Sequence, residues 1–159
     1  MPYLRRCVEL ATEAVEAGDG PFGSVLVDAA GKIRAEDRNR ELSTGDATMH
    51  PEFELARWAA TNLTAEERAG ATVYTSGEHC PMCAAAHGWV ELGRIVYVTS
   101  SAQTRGWLAE MGFVSNSPLT PLSIQQVVPG LEVAGPVPGL ADEVRELHRR
   151  FRTARAAAK

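Results

Sequence analysis

The chain has 159 residues, 45% of them hydrophobic and 23% charged, with a net charge of −4. That composition is ordinary for a globular domain with a proper core. The acidic balance argues against a nucleic acid as the main partner, since phosphate binding wants a basic face, and no apolar run is long enough to span a membrane.

Leu4, Val8, Ala11 and Val15 recur at helical spacing and predict an amphipathic helix over 3–17, with Cys7 beside the stripe as a small buried hydrophobe. Arg5 and Arg6 lead into that helix rather than into an apolar leader core. Gly18-Asp19-Gly20-Pro21 ends it, Phe22 to Val27 reads as a strand, and Ala30-Gly31 turns to the next. Residues 32–39 alternate: Lys32, Arg34, Glu36 and Arg38 form the wet face, and Ile33, Ala35, Asp37 and Asn39 point inward. An inward amide at Asn39 needs partners. Residues 40–49 read as a polar loop.

Pro51 suits the first position of a helix, where its missing N–H costs nothing. That helix is mostly buried, with Glu54, Arg57 and Thr61 as its wet edge. Thr64-Ala65-Glu66-Glu67 matches a capping box before a short helical turn. Ala71–Ser76 is the third strand. A second helix runs from Pro81 to about Glu91, with Ala84, Ala85, Ala86 and Gly88 permitting close packing and Trp89 expected in the core. Ile95–Val98 is an unbroken apolar strand, as expected when both faces are covered, and should pair through a right-handed parallel crossover. Ser101–Met111 looks helical and Gly112-Phe113 ends it. Residues 115–130 read as an irregular loop, Leu131–Val133 as a weak strand, and about 140–153 as a last helix. Leu140, Val144, Leu147 and Phe151 line one face of that helix, His148 is expected in solvent, and the tail 154–159 is expected to fray.

The chemistry concentrates in Cys80-Pro81-Met82-Cys83 and His50-Pro51-Glu52. Two cysteines three apart at a helix start point the same way, and a helix N-terminus favours their thiolates. With His50 they supply three ligands and leave a fourth tetrahedral position open, the layout of a catalytic zinc site, where zinc brings the pKa of a bound water to about 7. Two thiolates and a neutral imidazole weaken the metal's pull, so a neighbouring base matters more, and Glu52 is that candidate. A non-catalytic zinc knuckle is the competing reading. It would need His79 or His87 as fourth ligand. With Cys7 left alone, a disulfide framework is not expected and a reducing cytoplasm fits.

His50-Pro51-Glu52 and the run Tyr74-Thr75-Ser76-Gly77-Glu78-His79-Cys80-Pro81-Met82-Cys83 resemble the zinc-dependent cytidine/deoxycytidylate deaminase-like superfamily, from about Asp19 to about Phe113. Two departures are Pro51 where the family usually has Ala and His79 where it usually has Pro. The resemblance implies an α/β class, three-layer α/β/α fold with a mixed, roughly five-stranded sheet. It implies one zinc-dependent deaminase domain over 1–159, and one Zn2+ per chain on His50, Cys80 and Cys83, with Glu52 as the catalytic acid–base. It also implies a homodimer, as is common in the family. An Asn in the place of Asn39 contacts the base in such enzymes, and the backbone at Glu78 can contact substrate. Trp107, Phe113 and Phe151 are candidate walls over the base, and Ser115 and Asn116 candidate contacts.

The chain is more similar to the free-base branch than to tRNA adenosine deaminases, whose Lys/Gly-rich loop is replaced here by Thr99–Arg105. Gly20-Pro21-Phe22-Gly23 and Gly112-Phe113 resemble guanine deaminases and bring Phe22 to the site. Their acidic residue after Gly-Phe is replaced by Val114-Ser115-Asn116. The preferred substrate is therefore a free base with its amino group beside a ring nitrogen and a carbonyl, such as cytosine, isoguanine or an amino-oxo triazine. Guanine is the alternative, and tRNA adenosine the second.

Overall fold

The computed structural model describes residues 1–159. Strands β1 (Gly23–Val27), β2 (Ile33–Arg38), β3 (Thr72–Gly77), β4 (Arg94–Thr99) and β5 (Val133–Ala134) form one mixed sheet of order β2-β1-β3-β4-β5. β1 runs antiparallel to both β2 and β3, while β3, β4 and β5 are parallel. Strand parity sorts the core into two layers. Val25 and Val27 of β1, and Val96 and Val98 of β4, face α1 (Pro2–Glu16) and α8 (Ala141–Ala157), meeting Leu4, Val8, Leu10, Val144 and Leu147. Leu26 and Val73 face the other way, onto Leu55 and Ala59 of α3 (Pro51–Asn62). Ile95 and Tyr97 pack on Ala84 of α5 (Pro81–Trp89) and Ile124 of α7 (Ile124–Val127). Each fully buried Leu, Ile or Val contributes about 1.5–3 kcal/mol. Helices on both faces of a five-stranded mixed sheet are the three-layer arrangement expected.

β1 lies hard against α1. A Cβ at Gly23 would stand 2.5 Å from Leu10 Cβ and 2.7 Å from the Ala11 nitrogen, so only glycine lets the backbone approach this closely. α4 (Ala65–Gly70) carries the capping box read from Thr64 and Glu67. α6 (Ser101–Glu110) follows β4.

Several expectations are corrected. Residues 40–49 contain a short helix, α2 (Glu41–Thr44), and the irregular stretch 115–130 contains α7, closed by a Ser123–Gln126 capping box. Ile33 is exposed rather than inward, because the β1–β2 register slips between Leu26 and Val27 and breaks the alternation there. Trp89 ends α5 and projects 87% exposed, beyond the packed part of that helix. His148 is 2% exposed, its ring edge-on to Phe22 with centroids 5.4 Å apart. The apolar stripe of α8 is thus wider than the sequence suggested. The tail stays helical to Ala157, as its alanines and arginine favour.

Candidate metal centre and cavity

Two helix starts converge on one point. His50 is the N-cap of α3 and Cys80 the N-cap of α5, each followed by proline at the first helical position. α3 and α5 pack against each other, so both positive helix ends aim at the same spot and favour anionic sulfur there. His50 turns Nδ1 toward Cys80 Sγ at 3.6 Å and Cys83 Sγ at 3.5 Å. The donor atoms of His50, Cys80 and Cys83 all lie within 4.8 Å of one another. Neither His79 nor His87 joins them: His87 Nε2 is 2.7 Å from the Gly93 carbonyl, and the His79 ring packs edge-on to His87.

The protonation of the cluster tests whether a metal fits. A hydrogen bond from the Cys83 thiol drops the Cys80 thiol to about 4, and the same contact, with burial, holds Cys83 protonated. Burial opposes charge on His50, yet the Cys80 sulfur and the Glu41 carboxylate raise it to about 10. The site therefore draws positive charge into a half-buried pocket of soft donors. One imidazole and two sulfurs answering that pull are the donor set zinc prefers.

Glu52 lies in the first turn of α3, 5% exposed. Its Oε1 accepts from the Thr75 hydroxyl at 3.1 Å, and that hydroxyl accepts from Ser24 at 2.9 Å. Burial raises the Glu52 carboxyl to about 7, in the range where an acid–base group exchanges protons at neutral pH.

A cavity of about 400 Å3 opens over these groups. His50, Glu52 and Cys80 line it with Phe22, Glu78 and Ser115, and α6 contributes Ser101, Thr104 and Arg105. Gly77 also lines the wall, close under the Phe22 ring. The Glu78 carboxylate accepts from the backbone N–H of Ser101 and of Ile124, at 2.9 and 3.3 Å, and so holds the starts of α6 and α7 together. Asn39 does not line the cavity. It is fully buried, its Nδ2 donating to Glu41 Oε2 and its Oδ1 accepting from the Glu41 N–H. Trp107, Phe113, Asn116 and Phe151 also stand outside this wall. Trp107 turns to Arg145 of α8, and Phe151 lines a different cavity.

Sequence reasoning missed Glu41, whose Oε1 is 3.0 Å from His50 Nε2. With Nδ1 facing the sulfurs, Nε2 carries the proton and donates it to Glu41, which orients the ring. The signal was Asn39: a buried amide needing partners, two residues from an acid. Asp19 was missed too. Fully buried, it accepts from Leu42 N, Ser43 N and the Ser43 hydroxyl, and so anchors α2 and Glu41.

Residues 2–99 match the family model for the zinc-binding region of cytidine and deoxycytidylate deaminases. A guanine deaminase of Bacillus subtilis (strain 168) is 38% identical over 112 residues, 70% of this chain and 69% of that one. An X-ray structure of guanine deaminase from Bacillus subtilis, with the same identity and coverage, superposes with a TM-score of 0.59. A tRNA-specific adenosine deaminase of Agrobacterium fabrum is 34% identical over 110 residues, 69% of this chain and 70% of that one. A guanine deaminase structure from Nitrosomonas europaea covers 95% of this chain and 83% of its own at a TM-score of 0.69, and at 21% identity shows the fold alone. No helix is long and apolar enough to cross a membrane. The family match and the Bacillus subtilis sequence relative lead to one conclusion: the chain belongs to the cytidine and deoxycytidylate deaminase family, the zinc-dependent hydrolases of C–N bonds.

Proposed function

We propose that the chain hydrolytically deaminates a free amino-nucleobase whose amino group lies beside a ring nitrogen and a carbonyl, the face shared by cytosine, isoguanine and amino-oxo triazines. The observation that carries this reading is that, of the two carboxylates in the cavity wall, only Glu52 stands beside the His50–Cys80–Cys83 cluster, its Oε2 3.7 Å from Cys83 Sγ. The other, Glu78, has both oxygens engaged on backbone N–H groups. Guanine is the second reading, favoured by the Bacillus subtilis relative. Residues 115–122 bring Ser115, Ser117, Leu119 and Leu122 to the wall and no acid. A cavity of about 400 Å3 suits a single base, and Arg105 is its one arginine or lysine, which supports a small ligand over a tRNA loop.

In this reading His50, Cys80 and Cys83 hold the metal. Zinc, when bound, supplies a Lewis acid that makes water nucleophilic near neutral pH. Glu52 takes a proton from the attacking water and passes it to the ring nitrogen. It then carries the second proton to the departing amine, which leaves as ammonia while the carbon keeps the oxygen. Phe22 covers one face of the base, and Ser101, Thr104 and Ser115 offer hydroxyls to its oxo and ring-nitrogen edge. Residues 1–159 act as one deaminase domain in a reducing cytoplasm, where Cys7, Cys80 and Cys83 form no disulfide. A homodimer would cover the exposed Trp89.

Ammonia release from cytosine, isoguanine, ammeline, guanine and an RNA hairpin is the test. Turnover of one of the first three, well above guanine and RNA, is the expected result. Turnover confined to guanine or to RNA overturns it.

A further inference from the structure

A second cavity, of about 430 Å3, shares only Phe22 with the first. Helix α8 presents His148, Arg152 and Arg155 to it, a single stripe at helical spacing. His148 is 2% exposed, and neither of its ring nitrogens has a hydrogen-bond partner. The buried Nε of Arg152 has none either. Neither arginine forms an ion pair within the chain. Their guanidinium carbons stand 5.5 and 5.7 Å from the Phe151 ring centroid. The carboxylate across the cavity, Glu41, is engaged by His50 and Asn39 and does not neutralise them. Buried donors without acceptors are unfavourable. Here they converge with two free guanidinium groups, the fork that fits a phosphate.

We propose that this second cavity binds a small phosphate ester. Arg152, Arg155 and a ring N–H of His148 take the phosphate, and the remaining lone pairs of Glu41 accept from a hydroxyl of the organic part. The volume lies within the ~300–1,000 Å3 of small-ligand sites. The site is independent of which base is deaminated.

Calorimetric titration of the zinc-loaded protein with ribose 5-phosphate, inorganic phosphate, ribose and an RNA hairpin tests it. Ribose 5-phosphate should bind, inorganic phosphate more weakly, and ribose not at all. Arg152→Gln with Arg155→Gln should weaken ribose 5-phosphate by about tenfold or more, while Glu52→Gln leaves it unchanged. Should the double variant melt early, the exposed Arg155→Gln alone must still weaken binding. No heat from either phosphate compound at millimolar concentration overturns the proposal. So does equal binding of ribose, an affinity indifferent to the arginine changes, or binding confined to RNA.

Discussion

Replacing Glu41 tests how the metal ligand is held. Its Oε1 is 3.0 Å from His50 Nε2, and its Oε2 receives Asn39 Nδ2 at 3.0 Å. Removing the group that orients a metal-bound histidine costs about 10- to 100-fold in metal affinity, or ~1.4–2.7 kcal/mol. Glu41→Gln keeps an acceptor for the Nε2 proton and loses only the charge, so about tenfold weaker zinc binding is expected. Glu41→Ala leaves both the half-buried Nε2–H and the fully buried Asn39 amide without an acceptor, and should approach 100-fold. The assay is competition for zinc against a chromophoric chelator, run on all three proteins. Losing the Asn39 contact also costs fold stability, about 1–3 kcal/mol, so melting of the metal-free proteins is measured separately to remove that contribution. If Glu41→Ala holds zinc as tightly as the parent, Glu41 does not set the imidazole and the reasoning fails.

Glu52→Gln should cut turnover by at least the ~10²–10⁴ that positioned acid–base groups supply, with zinc content and melting unchanged; full activity in that variant sinks the proton-transfer role. Stripping the metal with a chelator should abolish turnover yet leave the far-ultraviolet circular dichroism intact, with a lower melting temperature that zinc restores; unfolding on chelation would instead make the metal a structural staple. His148 predicts an acid limit to stability. Burial, with Arg152 nearby, depresses it from 6.5 to about 4, so it is neutral when folded and takes a proton more readily when unfolded. Its contribution is complete above 6.5 and is lost as pH falls toward 4, about 3 kcal/mol at ~1.4 kcal/mol per pH unit. Urea unfolding of parent and His148→Leu across that window should show a steeper slope in the parent, because the buried His79 and His87, also held below 6.5, add a slope common to both; parallel slopes refute it.

The cluster of His50, Cys80 and Cys83 with Glu52 beside it was legible in the sequence because the proposed chemistry demands particular residue types at particular spacing. Sulfur, imidazole and carboxyl groups have few substitutes, and proline after His50 and Cys80 marks both helix starts. The cavity wall could not be read in that way. Ser101, Thr104 and Arg105 reach it only because Glu78 ties the start of α6 to that of α7, a contact between residues 23 and 46 positions apart. The aromatic candidates illustrate the difficulty. Trp107, Phe113 and Phe151 are large apolar groups near the right segments, but side-chain direction on a helix decides which way Trp107 and Phe151 look, and Phe113 lies in the loop after α6. Asn39 was legible as a buried amide in need of partners. That its partner is Glu41 depended on a four-residue helix too short to leave a periodic signal. His148 was read as wet because Phe22, whose ring packs on it, lies more than a hundred residues away in sequence.

The site is assembled by apolar packing that involves none of its ligands. His50 and Glu52 ride on α3, whose Leu55, Ala56 and Ala59 are buried against Leu26 and Val73. Cys80 and Cys83 ride on α5, held through Ala84 on Ile95 and Tyr97. Both helices sit on one face of the same sheet, and β3 sends Thr75 up between them to Glu52. The placement of the donors therefore follows from the packing of α3 and α5 on the sheet. That distinguishes this centre from small zinc modules, where metal binding supplies the folding free energy. The same packing sets the Glu52 carboxyl beside the metal ligands, where the proposed proton transfer needs it.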